Sequence, residues 1–220
     1  MKKIAYLIGA ALAVITGFVS CDLDSLSLTE KDTTNFPVNF NDANQALAGI
    51  YENLNAVNAF PQKSFYYLSM LASDDNLGGG GANDKLMQTI DLMCNYQANM
   101  TEDFWKARYQ GINRANTLIE ALGNVNMDPT IKAQTLGEAK FMRAFYYYEL
   151  ASMYGRVPLV TTPVVPSDPT PPAAAVIWGQ ILQDLYEAST TMPAVKHSDG
   201  HVDKYCAEAM LCRAWLFYTG

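Results

Sequence analysis

Apolar residues recur every three or four positions along much of the chain, which is the spacing of one buried face of an α-helix. The first such run follows Asn41, a predicted N-cap, and contains Ala43, Ala46, Leu47, Ile50, Tyr51 and Leu54. Residues 64–72 form a shorter apolar and aromatic run that predicts a second helix.

Two longer helices are predicted in the middle of the chain. Thr101 is the predicted cap of the first, which carries Trp105, Tyr109, Ile112, Asn116 and Ile119 at helical spacing. Asp128 and Pro129 predict the start of the second, because proline favours the first helical position, and Gly155 predicts its end. Since residues 141–150 are apolar nearly all round, this helix must be covered on more than one side.

The last part of the chain repeats the pattern after a proline-rich connector at residues 156–172. Ile177, Ile181, Leu185 and Ala188 mark one helix, and Asp203 caps another that continues through residue 217. No segment shows the sustained alternation of a strand. The predicted class is therefore all-α, with helix pairs at about 102–154 and 174–219 that resemble tetratricopeptide-type hairpins joined by long loops.

Residues 73–85 interrupt the helices. Asp74, Asp75 and Asn76 come first, glycines occupy positions 78–81, and Asn83, Asp84 and Lys85 follow. Glycine in a helix costs about 1 kcal/mol relative to alanine, so four in a row predict an exposed loop.

Composition excludes some functions and limits the role of cysteine. Half of the residues are hydrophobic and 17% are charged, which suits a substantial core. The net charge of −7 disfavours nucleic acid as a partner, because affinity for phosphates depends on lysine and arginine. Cys94, Cys206 and Cys212 show neither a disulfide framework nor a metal-ligand spacing, and we expect buried free thiols.

The N-terminus has the features of a secretory leader. Lys2 and Lys3 precede an uncharged run from residue 4 to 18 that is too short to span a bilayer comfortably. Ser20 stands directly before Cys21, which resembles a bacterial lipobox with phenylalanine at the usual leucine position. We predict a lipoprotein signal peptide at residues 1–20, lipidation of Cys21, a polar tether at residues 21–40 and a helical domain at residues 41–220.

A family resemblance rests on residues 137–150 (GEAKFMRAFYYYEL) and 154–160 (YGRVPLV), which resemble the signature segment of the SusD/RagB family. The preceding predicted helix, residues 181–188 and 204–218, the early loop at 72–76 and the lipobox are similar to that family in the same order. Members of the family are much longer. The resemblance therefore implies that residues 41–220 are an incomplete, apparently truncated SusD-like N-terminal domain, whose last helix exposes an apolar face and favours aggregation.

The resemblance implies a surface-exposed lipoprotein of the cell outer membrane, anchored through its acyl chains. It implies binding of an oligosaccharide or another nutrient oligomer, such as a peptide, and delivery to a SusC-like TonB-dependent outer-membrane transporter. No bond chemistry and no cofactor are expected. Acidic residues after the lipidated cysteine, here Asp22 and Asp24, resemble a surface-export signal.

The predicted ligand contacts are polar and aromatic residues in and after the early loop, where carboxylates and amides can pair with sugar hydroxyls and a ring can stack on a sugar face. They are Asp74, Asp75, Asn76, Asn83, Asp84, Tyr96 and Asn99. The alternative is that they are ordinary solvated loop residues. Trp105, Trp178 and Trp215 are predicted core residues.

The residues that suggest catalysis or metal binding have structural explanations. Glu138 and Glu149 stand eleven residues apart on one predicted helix, about 16 Å by helix rise, too far to act as a catalytic pair. With Arg143 they are expected to form structural ion pairs and hydrogen bonds. His197 and His201 flank a predicted turn, so no metal site is expected.

Two other functions remain open from the residues alone. One is a helical-repeat lipoprotein that binds peptide or protein partners in the envelope. The other is an all-α glycoside hydrolase, which needs two suitably separated carboxylates in a cleft and a much longer chain.

Overall fold

The computed structural model describes residues 36–59, 64–77, 101–195 and 200–220. These residues form α-helices and no strand, which confirms the all-α prediction for this part of the chain. The helices are α1 (Phe40–Ala59), α2 (Phe65–Leu71), α3 (Glu102–Ala121), α4 (Pro129–Tyr154), α5 (Ala174–Thr191) and α6 (Lys204–Thr219). The predicted leader, Cys21 and residues 21–35 of the predicted tether lie outside the described residues.

Polar side chains fix the starts of several helices by accepting hydrogen bonds from backbone N–H groups of the first turn. Ser64 caps α2, Asp128 caps α4 through Thr130 and Ile131, and Asp203 caps α6. The prediction of Asn41 as a cap is wrong, because Asn39 Oδ1 accepts from the Asp42 backbone N–H at 3.1 Å and α1 begins earlier. Thr101 occupies the cap position of α3 without a side-chain capping bond.

The end of α4 confirms the predicted stop. Gly155 has a φ of 73°, a backbone conformation that glycine adopts more easily than residues with a Cβ. Its N–H donates to the carbonyl of Ala151 at 2.9 Å. The chain leaves the helix there and enters the connector at residues 156–172.

Helix α4 is the centre of the fold. It packs against α1, α3 and α5, and α5 packs in turn against α6. The pairs α3–α4 and α5–α6 are the predicted tetratricopeptide-like hairpins. Tyr146, Tyr147 and Leu150 of α4 are completely buried, as expected for a helix whose apolar residues surround its axis.

The charged residues of α4 are buried and paired. Arg143 donates to both carboxylate oxygens of Asp184 on α5, at 2.8 and 2.7 Å, and Glu149 pairs with Arg108 of α3. Glu138 accepts hydrogen bonds from Tyr51 and Gln134. The predicted structural roles of Glu138, Arg143 and Glu149 are confirmed.

Helix α6 confirms the expected exposed apolar face. Trp215, Leu216 and Phe217 are 56%, 70% and 53% exposed. The core assignment is right for Trp178 and wrong for Trp215. Cys206 and Cys212 are free but exposed, which corrects the expected burial. The corrections for Trp215 and for the two cysteines have the same reason. Periodicity shows that a helix face is apolar, whereas burial requires a neighbouring element to cover that face.

Candidate binding site

The first three predicted ligand contacts follow the C-terminal end of α2. The side chains of Asp74 and Asp75 are exposed, whereas Asn76 is partly buried. The Asn76 amide donates to Ser73 Oγ at 3.3 Å, and Ser73 Oγ donates to the carbonyl of Met70 at 2.8 Å. Asp74 and Asp75 therefore present carboxylates to solvent, while the Asn76 amide helps to hold the turn.

The other four predicted contacts, Asn83, Asp84, Tyr96 and Asn99, lie outside the described residues. Whether the seven side chains meet at one surface stays a prediction.

A second candidate site was missed by the sequence analysis. It is a groove of about 310 Å³ between α3 and the proline-rich connector, called the α3 groove below. Its lining residues are Trp105, Tyr109, Ile112, Asn113, Asn116, Pro158, Val160, Val165 and Pro169. Trp105 and Tyr109 pack against the core but remain partly exposed at the groove, so the assignment of Trp105 to the core is only partly right.

The aromatic side of the groove is fixed by its neighbours. The rings of Trp105 and Tyr109 lie 4.9 Å apart, and Tyr154 packs edge-on against Trp105 at 5.0 Å. The Tyr109 hydroxyl donates to the carbonyl of Pro158 at 2.6 Å. Burial, and to a lesser extent Tyr147 nearby, raises the pKa of Tyr109, so its phenol stays neutral.

The connector side is held by Asn116. Its amide donates to the carbonyls of Val160 and Thr162 at 3.0 and 3.1 Å. Its carbonyl oxygen accepts from Arg143 Nη1 at 2.9 Å. Asn116 is thereby committed to structure, whereas Asn113, one turn earlier on the same face, is exposed at the groove.

The sequence carried one signal for this groove. Trp105, Tyr109, Asn113 and Asn116 share one face of α3, and a purely apolar core face would not carry two asparagines. What the sequence lacked was the path of the connector, which makes the second wall.

No group of three or more histidine, cysteine, aspartate or glutamate side chains is placed to hold a metal ion within the described ranges. His201 Nδ1 lies 2.8 Å from Glu138 Oε2, and its ring packs edge-on against Tyr51. His197 lies outside the described residues. Among the helices described, none has the length and apolar character needed to cross a membrane.

Comparison with known proteins identifies SusD-like relatives. A SusD-like family model, described as starch-binding and associating with the outer membrane, matches residues 23–216. A curated relative, SusD-like protein P2 from Formosa agariphila, is 23% identical over 179 residues, which are 80% of this chain and 35% of that protein.

Solved structures show the same fold. A laminarin-binding SusD-like protein is 28% identical with a TM-score of 0.72, and the match covers 82% of this chain and 41% of that one. Surface glycan-binding protein A from Bacteroides fluxus is 24% identical with a TM-score of 0.68, covering 83% and 41%. The chain thus spans about two fifths of the length of these solved relatives and about a third of the curated one.

Proposed function

We propose, from the premise that this chain belongs to the SusD-like family of starch-binding proteins that associate with the outer membrane, that it captures oligosaccharides at the cell surface. The family match over residues 23–216 is the observation that carries the proposal. The similarity to a laminarin-binding SusD-like protein supports a glycan as the ligand.

Capture through the early loop uses exposed polar groups. The carboxylates of Asp74 and Asp75 are open to solvent and can accept hydrogen bonds from sugar hydroxyls. Each such bond is worth about 0.5–1.5 kcal/mol net, and up to about 3 kcal/mol when one partner is charged. Several weak contacts along one polymer raise the effective affinity, so a modest site suffices. Asn76, Asn83, Asp84, Tyr96 and Asn99 complete the proposed contact set.

Binding without bond cleavage fits the described carboxylates of α4. Glu138 and Glu149 are both buried, and both are engaged by neighbouring side chains. Both carboxylates are thereby committed to contacts within the protein. A binding protein therefore agrees better with these residues than a hydrolase does.

The cellular setting is part of the proposal. Acyl chains on Cys21 anchor the protein to the outer membrane, the residues between Cys21 and the start of α1 form a tether, and the helical domain faces outward. A SusC-like TonB-dependent transporter then receives the ligand.

A charge-neutral variant of the loop tests the proposal. Asp74→Asn combined with Asp75→Asn is expected to weaken binding of laminarin or starch oligosaccharides about tenfold, as measured by calorimetry or affinity electrophoresis. The matched control, Glu120→Gln with Glu208→Gln, also removes two exposed carboxylates and should bind like the unaltered chain. If the unaltered chain retains no glycan at all, the proposed function is wrong.

A further inference from the structure

The α3 groove has no assigned role, and its lining differs from that of the early loop. We propose that it is a separate sugar site, which binds one glucopyranose ring of a neutral glucan against Trp105 and Tyr109. The choice of a sugar rests on the proposed function. The location and the preference for an uncharged ring come from the groove itself.

The size of the groove suits a single ring. Its volume of about 310 Å³ is at the lower end of the range of ligand sites, about 300–1,000 Å³. A long oligomer would have to continue outside it. Asn116 ties the connector to α3 through two hydrogen bonds, which fixes the position of the second wall.

The groove is uncharged. All nine lining residues carry neutral side chains, and the one titratable group, the Tyr109 phenol, has a raised pKa. A uronic acid, sulfated sugar or phosphate would lose hydration there without gaining an ionic partner. Neutral sugars are therefore selected over acidic ones.

The distribution of polar atoms matches a sugar ring. The faces of glucopyranose are rich in C–H groups, and its hydroxyls project from the edge. Trp105 and Tyr109 provide a partly exposed aromatic surface, Val165 and Pro169 provide apolar walls, and the exposed Asn113 amide provides donors and an acceptor for a hydroxyl. Starch and laminarin, the ligands that the names of the relatives print, are both polymers of glucose.

Fluorine-labelled tryptophan makes the groove directly observable. The full chain is labelled with 5-fluorotryptophan, and its ¹⁹F resonances are assigned with single Trp→Phe variants. It is then titrated with methyl β-glucopyranoside and, as the acidic comparison, with methyl glucuronide. Trp215 is the matched reporter, because it is exposed but lies on α6, outside the groove.

We expect the Trp105 resonance to shift saturably with the glucoside, at least threefold more than that of Trp215, and to shift little with the glucuronide. Equal shifts of Trp105 and Trp215, or no Trp105 shift, overturn the groove site. So does a Trp105 shift caused by a proline-rich peptide and not by the glucoside, which would assign the groove to peptides. Retention of laminarin or starch by the same chain tests the proposed function separately. The groove site and the proposed function can therefore fail independently of each other.

Substitutions at two adjacent exposed valines give an independent test. Val165 lines the groove and is 56% exposed, whereas Val164 does not line it and is 80% exposed. Val165→Glu should weaken glucoside binding at least tenfold, while Val164→Glu should leave it within twofold. Asn113→Ala should weaken it about fivefold. Equal effects of the two valine variants would contradict the proposal.

Discussion

At the scale of single residues, the polar groups inside the helices decide how the core fits together. Arg143 carries two bonds to Asp184 and one to Asn116, which joins α4, α5 and α3. Sequence analysis identified Arg143 as structural but not its partner, since Asp184 is 41 residues away. The same limit applies to Trp105, because a helical spacing assigns a residue to a face without saying how closely that face is covered.

Loss of Arg143 should be severe. Arg143→Met leaves Asp184 buried without its cation, and breaking a buried pair on one side costs about 3–5 kcal/mol. Urea unfolding followed by circular dichroism measures this change in the free energy of unfolding. Glu52→Gln is the control, because the Glu52–Arg114 pair is largely exposed and such pairs contribute about 1 kcal/mol or less. Similar losses of unfolding free energy in Arg143→Met and Glu52→Gln would contradict the expectation that the buried pair contributes more than the exposed one.

At the scale of elements, local chemistry fixes where helices begin and end, and close packing fixes how they meet. Asp128, Asp203 and Gly155 were recognisable in the sequence, because caps act within a few residues. The close contact between α3 and α4 was not recognisable in the sequence. It depends on Gly111, where an added Cβ would lie 2.8 Å from Cδ2 of the buried Tyr146.

Two helical glycines should therefore respond in opposite ways. Gly111→Ala forces the Tyr146 ring to move and should cost about 1–3 kcal/mol of stability. Gly179 of α5 has no atom within 4 Å of an added Cβ, so Gly179→Ala should stabilise the protein by up to about 1 kcal/mol. The melting temperatures of both variants, measured by thermal unfolding, test these opposite changes in stability. Stabilisation by Gly111→Ala would show that α3 and α4 do not approach so closely.

The apolar face of α6 should promote self-association. Leu216 is 70% exposed beside Trp215 and Phe217, and contiguous apolar patches favour aggregation. Leu216→Glu should raise the monomer fraction in size-exclusion chromatography with light scattering, without lowering thermal stability. Val176→Glu, at a half-exposed position on α5, serves as the control and should leave the monomer fraction unchanged. An unchanged monomer fraction in Leu216→Glu would exclude this face as the cause.

At the scale of the whole molecule, the leader and the helical domain act together in the proposed role. In that role the helical domain would supply the surfaces that contact the ligand, and the leader with Cys21 would direct the chain to the outer membrane. Two or three acyl chains on Cys21 would anchor the chain almost permanently, because each buried methylene contributes about 0.8 kcal/mol.

Metabolic labelling with an acyl probe tests the anchor. Cys21→Ala should abolish incorporation of the probe and release the protein from the membrane fraction. Cys206→Ala, which changes an exposed free thiol of α6, should leave labelling unchanged. Labelling that persists in Cys21→Ala would remove the anchor from the proposed function.

The amino-acid sequence by itself determined the helical class, most helix limits and the family to which the chain belongs. These depend on periodicity, caps and motifs, whose causes lie within a few residues of each other. The tertiary structure alone decided the pairing of Arg143 with Asp184, the exposure of Trp215 and the formation of the α3 groove. Each needs segments that are distant in the chain to meet, and a one-dimensional pattern does not say which faces come together.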